Sequence, residues 1–491
     1  MIKSAEKKGF PALFWLANVM ELFERGAYYG MNSVLAVYLT ASVREGGLGF
    51  AEESVGFLQA IVYALTYIVP ILGGALAEKM GYRRMLIVAF SFLTAGYFAA
   101  GYSSSYALVF LSLLVMATGS GLFKPIISGT IARSTTEENS GLGFGIYYWM
   151  INLGAFFAPL IVSVLKGFSW KYVFMASSLW CFLMLIPSLF LYKDPVLPGK
   201  GRSLKETASN ALIVLRDSRF MLMVFIYSFF WILYFQNFGT VLWFLRDLVD
   251  KEPVNRLVNG FLQSLGLGWK FNFGAEHVTV INAATIILLQ VLVSRIVKNM
   301  RPLPVMSSGI IFGALGFSLL AIAKTPWIFI AGIVVFSVGE MTAHPKYYSY
   351  IGRVAPDDKK AIYMGYAFLY GVIGSLFGSS LGAILYVKMV KNGGKPALFF
   401  GLFAFLGFIC CLLLTLFDRF FSQDSSETRK RAKSIMTVLY SLLTLAGGAL
   451  MVDNLFLSPV PNYKVLFQAI ILLLVGAGGL YLTFSRKNVQ T

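Results

Sequence analysis

Charge is scarce in this chain: of its 491 residues only 13% are Asp, Glu, Lys or Arg. A soluble globular protein carries about a quarter. A chain this apolar would present large hydrophobic patches to water if it folded as a soluble domain. Cysteine is scarcer still, and Cys181, Cys410 and Cys411 all lie in apolar runs where a thiol behaves as a small hydrophobe. That leaves no disulfide framework and no thiolate metal site. The two histidines, His277 and His344, are too few and too far apart to read as ligands by spacing. An intramembrane hydrolase needs a nucleophile with its base, or a metal cluster. Two isolated histidines with no H-E-x-x-H pattern supply neither, so the chain does not read as an enzyme. Acidic residues number 23 against 41 basic ones, a net charge of +18. No basic soluble segment exists that could hold a nucleic acid, so that partner is excluded.

What the sequence does have is apolar length. Hydrophobic residues make up 57% of it, and the mean hydropathy is +0.73. A helix crosses a bilayer with about 20 mainly apolar residues. Fourteen such stretches can be marked, beginning near residues 13, 53, 84, 105, 141, 170, 219, 277, 303, 326, 360, 396, 433 and 463. The first, from Pro11 to Thr40, is too long for a signal-peptide core and follows a weakly basic lead, Lys3, Lys7 and Lys8, so it is expected to stay in the membrane. With the N-terminus inside, the inner segments hold 26 of the 41 Lys and Arg and the outer loops hold 12. That asymmetry predicts a multi-pass plasma (cell inner) membrane protein with both termini cytoplasmic, and it explains the positive charge.

The spans group as six, a linker, six and an appended pair. The reading places an N-terminal six-helix bundle at 1–192, a cytoplasmic linker at 193–218, a C-terminal six-helix bundle at 219–418, and a charged linker with two peripheral helices at 419–491. The first linker has a Pro/Gly break from Pro195 to Gly201, followed by KETASNALIVLRDSR, which has the pattern of a short amphipathic surface helix. The second begins DRFFSQDSSETRKRAK at Asp418 and reads as a charged break. The outer stretch from Asp247 to Glu276 could be a lid or merely a long connection.

An ionisable group kept within a span costs several kcal/mol near the bilayer centre, so such groups mark function or a tightly satisfied cluster. Glu21, Glu24 and Arg25 occur at i, i+3 and i+4 in the first span and therefore share one helical face. They can share hydrogen bonds and a proton, or they can be a self-satisfied ion cluster that fixes packing. Lys124 sits in GSGLFKPIISG of the fourth span, where glycines permit close helix approach and a lysine needs a carboxylate. Glu340 in the tenth span is the matching acid, with His344 one turn on along the same face and Pro345 after it. Paired with Lys124, it would stay ionised until substrate or a proton intervened. Lys346 points away from Glu340 and is expected to snorkel toward the cytoplasmic end.

These residues also carry a resemblance. ELFERGAYYG, from Glu21 to Gly30, is similar at nearly every position to the E-x-x-E-R-aromatic-x-Y-Y-G signature of the proton-dependent oligopeptide transporters, a family of the major facilitator superfamily. GALAEKMGYRR, from Gly74 to Arg84, resembles the superfamily loop between helices 2 and 3, with Glu78 where Asp is usual. GSGLFKP with Lys124, and FGIYYWMINLGAFFAPLI from Phe144, resemble the family's fourth and fifth helices. Gly339, Glu340 and Pro345 resemble its helix 10, and Met364 and Gly365 its helix 11.

The resemblance implies an all-α major facilitator fold: two six-helix bundles with two extra C-terminal helices, fourteen spans in all, round a cavity that opens alternately to each side. It implies that Glu21, Glu24 and Arg25 couple a proton, with Lys124 as their partner. Tyr28, Tyr29, Tyr67 and Asn152, together with Asn282, would line the cavity and contact peptide backbone, and Glu340 would meet the substrate's amino terminus. The implied activity is symport of protons with short peptides, di- and tripeptides. The proton is the coupling ion, no further cofactor is expected, and the lipid bilayer is the surroundings of an expected monomer. Two departures stand out. Asn32 occupies the place of a second basic residue on helix 1, and Phe235, with Gln236 beside it, the place of its acidic partner on helix 7. Either the outer gate closes by packing or the family's positions are matched elsewhere. The family's helix 11 Trp is also replaced, around Ala367.

Tyr147, Tyr148, Tyr347, Tyr348, Tyr363 and Tyr370 could line the cavity, although aromatic residues in spans more often pack or anchor at the interface. A channel would want rings of like groups, and none is present. The alternatives are a secondary transporter of another small zwitterion or organic anion in the same fold, or a transport-inactive sensor.

Overall fold

The computed structural model describes residues 9–195, 204–356 and 359–485. Lys3, Lys7 and Lys8, and the Pro/Gly break beyond Pro195, lie outside them. The described residues contain helices and no strand. The first set comprises α1 (Ala12–Thr40), α2 (Glu52–Met80), α3 (Tyr82–Tyr102), α4 (Tyr106–Arg133), α5 (Ser140–Phe168) and α6 (Trp170–Phe190). A linker helix, α7 (Leu204–Arg216), leads to α8 (Ser218–Gln236) and its continuation α9 (Thr240–Asp247). Then follow α10 (Glu252–Ser264), α11 (Glu276–Val297), α12 (Pro302–Ala321), α13 (Pro326–Val354), α14 (Lys360–Tyr366), α15 (Leu369–Leu385) and α16 (Pro396–Phe421). The appended pair is α17 (Ser426–Val452) and α18 (Tyr463–Phe484).

Among the described residues 13 helical spans are long and apolar enough to cross a membrane, with α8 and α9 counted together. Helix α1, 29 residues long, is not among them, because Glu21, Glu24 and Arg25 interrupt its apolar stretch; counted with them it makes fourteen. The fold is the all-α polytopic one expected. The face that carries α7 and the start of α1 is called the linker side below, and the opposite face the far side.

Local chemistry sets the helix ends where the sequence pattern put them. The Asp217 carboxylate caps α8 by accepting from the Arg219 and Phe220 N–H groups at 3.1 Å each. Thr325 caps α13, with Pro326 at its first position. Gly81 ends α2 at φ +93°, a conformation that favours glycine, and the next turn is held by the Arg83 N–H donating to Asp194 at 2.7 Å. Gly339 lets α13 lie against α12, since a Cβ there would stand 2.5 Å from the Gly309 carbonyl oxygen.

Two segments differ from the sequence reading. The charged run after Asp418 is mostly helix: α16 continues to Phe421 and α17 begins at Ser426. Ser425 and Thr428 form a reciprocal capping box there, so the basic residues ride on the first turns of α17. The outer stretch from Asp247 to Glu276 is built around α10. Asn259 exchanges hydrogen bonds with the Phe271 backbone, and Asn255 accepts from the Phe273 N–H at 2.7 Å, which folds the returning strand of chain back on that helix. Lys346 is buried, and its ammonium donates to the Val297 and Met300 carbonyls at 2.6 and 3.1 Å, capping the end of α11. It does turn toward the linker side, ending on backbone.

The appended pair touches both sets of helices. Lys464 of α18 donates to Ser54 of α2, the Phe467 and Phe57 rings meet at 5.4 Å, and Gln468 donates to Ser380 of α15. Helix α17 packs along α8.

Candidate functional site

The far side is shut by contacts between the two sets. The Trp243 indole of α9 donates to the Ala36 carbonyl of α1 at 3.0 Å, and Arg246 donates to Thr40 at 2.7 Å. Glu52 of α2 meets Lys391 at 2.5 Å and Arg246 at 3.7 Å. Lys166 of α5 pairs with Glu276 of α11 at 2.5 Å, and the same buried carboxylate accepts from Ser163 at 2.8 Å. At the two positions where the family's ion pair is missing, Asn32 accepts from the Tyr63 hydroxyl at 2.6 Å, and the Phe235 ring stacks on Tyr63 with centroids 5.3 Å apart. Gln59 completes this layer by donating to Tyr63 and to the Phe238 carbonyl, at 2.9 and 2.8 Å. The closure is thus packing at the expected level, with ion pairs displaced to α2, α5, α9 and α11.

Beneath it lies a cavity of about 770 Å³, lined from α1, α2, α4, α5, α8, α11, α13 and α15. Its wall reaches Glu78, Phe144, Asn210 and Ile362, all at linker-side ends of their helices or on α7, so the cavity opens on that side. Interior prolines Pro70 and Pro125 stand in its wall, where they free backbone groups at membrane depth.

The helical spacing in α1 delivers its triad as one unit. Arg25 meets Glu24 at 2.5 Å and Glu21 at 3.6 Å. Ser120 of α4 donates to the other Glu24 oxygen at 2.9 Å and accepts from Arg25 at 3.2 Å. Glu24 is fully buried, whereas Glu21 and Arg25 reach the cavity wall. Tyr147 lies beside Glu21.

Lys124 stands beside the triad without contact, and both carboxylates act on its ammonium only at a distance. Arg25 already engages both carboxylates, and among the described residues Lys124 forms no ion pair. Its ammonium stands 5.0 Å over the Tyr67 ring and 3.4 Å from the Thr66 carbonyl, facing the cavity with no carboxylate in contact among the described residues. Glu340 lies in the same cavity, with Asn282 donating to it at 2.9 Å and no cation paired with it among the described residues. The expected Glu340–Lys124 pair is absent from this conformation. An unpaired cation and an unpaired anion share one space.

Tyr29, Tyr67, Asn152 and Asn282 all line this cavity. Tyr28 does not: its ring sits under the Arg25 guanidinium at 5.0 Å, because consecutive helical residues cannot face the same way. The tyrosines divide as well. Tyr147, Tyr148, Tyr348 and Tyr370 line the cavity, while Tyr347 donates to the Ala367 carbonyl at 2.9 Å and Tyr363 to Asp217 at 2.7 Å, both away from it. Sequence reasoning missed Trp231 and Tyr234 of α8, which form an aromatic wall with His344, Tyr348 and Tyr370. On α13 the pattern is legible, since Glu340, His344 and Tyr348 repeat at i, i+4 and i+8 on one face, but that spacing carries no signal for the two α8 residues.

Two helical sets that meet round a charged central cavity, closed on one face and open on the other, are the architecture of the secondary-transporter folds. A family model described as Major Facilitator Superfamily matches residues 14–379 and 254–486, and the chain belongs to that superfamily. It is similar to an uncharacterized transporter, YclF, of Bacillus subtilis, 34% identical over 171 residues, which is 34% of this chain and 35% of that one. It is likewise similar to dipeptide and tripeptide permease A of Pectobacterium carotovorum, 32% identical over 188 residues, covering 37% and 36%. The match therefore spans little more than a third of these relatives' length. In overall fold it is similar to a POT family transporter solved in complex with 5-aminolevulinic acid, with a TM-score of 0.70, 21% identity, and coverage of 84% of this chain and 98% of that one. A peptide transporter POT solved with sulfate aligns at a TM-score of 0.72 and 18% identity, covering 85% and 96%.

Proposed function

We propose that the chain is a proton-coupled symporter of di- and tripeptides of the proton-dependent oligopeptide transporter family, working by alternating access. The observation that carries this reading is that Lys124 and Glu340 share one cavity and neither makes a contact ion pair among the described residues. A free peptide has a carboxylate for the first and an ammonium for the second, and either contact alone leaves a charge unpaired in a desolvated site. Tyr29, Tyr67, Asn152 and Asn282 then offer hydrogen bonds to a peptide backbone. The similarity to dipeptide and tripeptide permeases supports the substrate class.

In this reading the coupling ion is a proton held among Glu21, Glu24 and Arg25, with Lys124 responding to it. The closed far side is the outer gate, and the protein is a plasma membrane monomer with both termini cytoplasmic. The two bundles occupy 1–192 and 219–418, joined by 193–218, and 419–491 carries the appended pair. Proton symport needs no other cofactor.

One observation favours a second reading, transport of another small zwitterion. The two charges recognise the ends of a molecule and make no demand on an amide between them. Proteoliposomes under an inward proton gradient distinguish the two. Acidification of the lumen on adding mixed dipeptides and tripeptides is the expected result. Acidification by non-peptide zwitterions alone overturns the peptide assignment.

A further inference from the structure

A second hollow, about 490 Å³, lies between the linker-side halves of α5 and α11. These helices are tied at the far side by Lys166 and Glu276, and below that tie they part. The crevice is walled by Trp149, Ile287 and Val291, and its inner boundary, Tyr148, Asn152 and Ile286, also lines the central cavity. Its outer rim is lipid-facing surface: Trp149 and Val291 are half or more exposed, as are Leu288 and Leu292 along the same helix.

The linker-side end of the crevice is polar and basic. Arg295 and Lys298 are exposed on adjacent turns of the end of α11, and neither forms an ion pair among the described residues. One turn deeper, Gln290 donates to Ser294 at 2.9 Å while its Oε1 is buried with no hydrogen-bond partner among the described residues. The site thus offers two cations at headgroup level, an acceptor that lacks a donor, and an apolar slot running inward from them.

We propose that this crevice binds an anionic phospholipid of the phosphatidylglycerol type, with its phosphate at Arg295 and Lys298 and one acyl chain between α5 and α11. Charge complementarity selects the headgroup, because basic pockets between spans attract anionic lipid. The chain fills apolar surface that would otherwise be a void beside the substrate cavity. Binding does not depend on which solute is transported.

Trp149 reports on the site. The full-length protein, in nanodiscs of zwitterionic lipid, would be titrated with brominated phosphatidylglycerol or brominated phosphatidylcholine, and the Trp149 contribution taken as the difference from Trp149→Phe. The expected result is half-quenching by the anionic lipid at a mole fraction roughly ten- to thirtyfold lower than by the zwitterionic one, given two basic contacts. Arg295→Gln with Lys298→Gln should erase that preference. Val291→Phe, which keeps both charges and narrows the slot, should weaken it. Equal quenching by the two lipids overturns the proposal. So does an unchanged preference in either variant, which would place the selecting charges or the acyl chain elsewhere.

Discussion

Lys166 on α5 reaches Glu276 on α11 at 2.5 Å, and the carboxylate it neutralises is completely buried. The bond crosses between the two helical sets on the closed face. Removing Lys166 leaves the buried carboxylate with only Ser163 and the His277 imidazole, at 3.3 Å, beside it, and breaking a buried pair costs on the order of 3–5 kcal/mol in other proteins. Lys166→Ala should therefore shift the protein toward the far-side-open state, because opening lets water reach Glu276. A cysteine placed at Ala36, in a background lacking Cys181, Cys410 and Cys411, should then react faster with an impermeant thiol reagent from the far side. Adding Glu276→Gln should reverse most of the effect, and an unchanged labelling rate in Lys166→Ala would remove the pair from the gate.

Lys124→Ala should weaken binding of substrates with a free carboxylate on the order of ten- to hundredfold, the usual worth of a charge-assisted hydrogen bond. C-terminally amidated peptides should lose much less. Competition against a labelled dipeptide gives both numbers, and equal losses would count against Lys124 as the anion anchor.

Glu340→Gln makes the mirror prediction. Peptides with a free amino terminus should lose affinity by a similar factor while N-acetylated ones change little. The glutamine can still accept from Asn282, so the fold should survive, and an unaltered melting temperature in detergent verifies that.

Glu24→Gln should abolish uptake driven by a proton gradient and spare counterflow exchange, which moves substrate without net proton movement. The carboxamide keeps an oxygen for Ser120 but no charge for Arg25. Intact driven uptake in this variant would sink the proposed coupling role.

The junction of α16 and α17 carries a pH dependence. The Arg429 guanidinium bound to Asp424 holds that carboxyl below the ordinary carboxylate range. A carboxyl lowered on folding adds stability above its unfolded pKa, about 3.9, and loses it as the pH falls through the folded value. Asp424→Asn should therefore destabilise the protein at pH 7 by no more than about 1 kcal/mol for so exposed a pair, read as a slightly lower melting temperature. The difference from the parent protein should shrink once the pH drops below about 4.

Hydropathy located the spans because a bilayer demands a fixed apolar length and the chain had little else to offer. Thirteen of the fourteen marked starts fall close to a helix start in the structure. The exception, α17, begins among charged residues, where a cap formed by Ser425 and Thr428 outweighs the polarity of the run. The triad in α1 was legible for a related reason, since residues at i, i+3 and i+4 share a face in any helix. What composition could not supply was partnership between helices. Nothing in the linear order tells that Arg25 contacts both carboxylates while Lys124 contacts neither, or that the far side is held by an ion pair of Lys166 and Glu276. Nor could spacing along separate helices indicate that Trp231 of α8 and His344 of α13 form one wall.

The last two helices alter how the molecule can move. Lys464 and Phe467 hold α18 to α2, and Gln468 holds it to α15, so one flank of the molecule is stapled across its own seam. The opposite flank, α5 against α11, is tied at the far side by Lys166 and Glu276 and parts below that tie. A body fastened along one edge swings like a door on its hinge, and its widest excursion comes at the free edge. The crevice beside Trp149 is therefore where any relative motion of the two sets of helices would displace the most lipid.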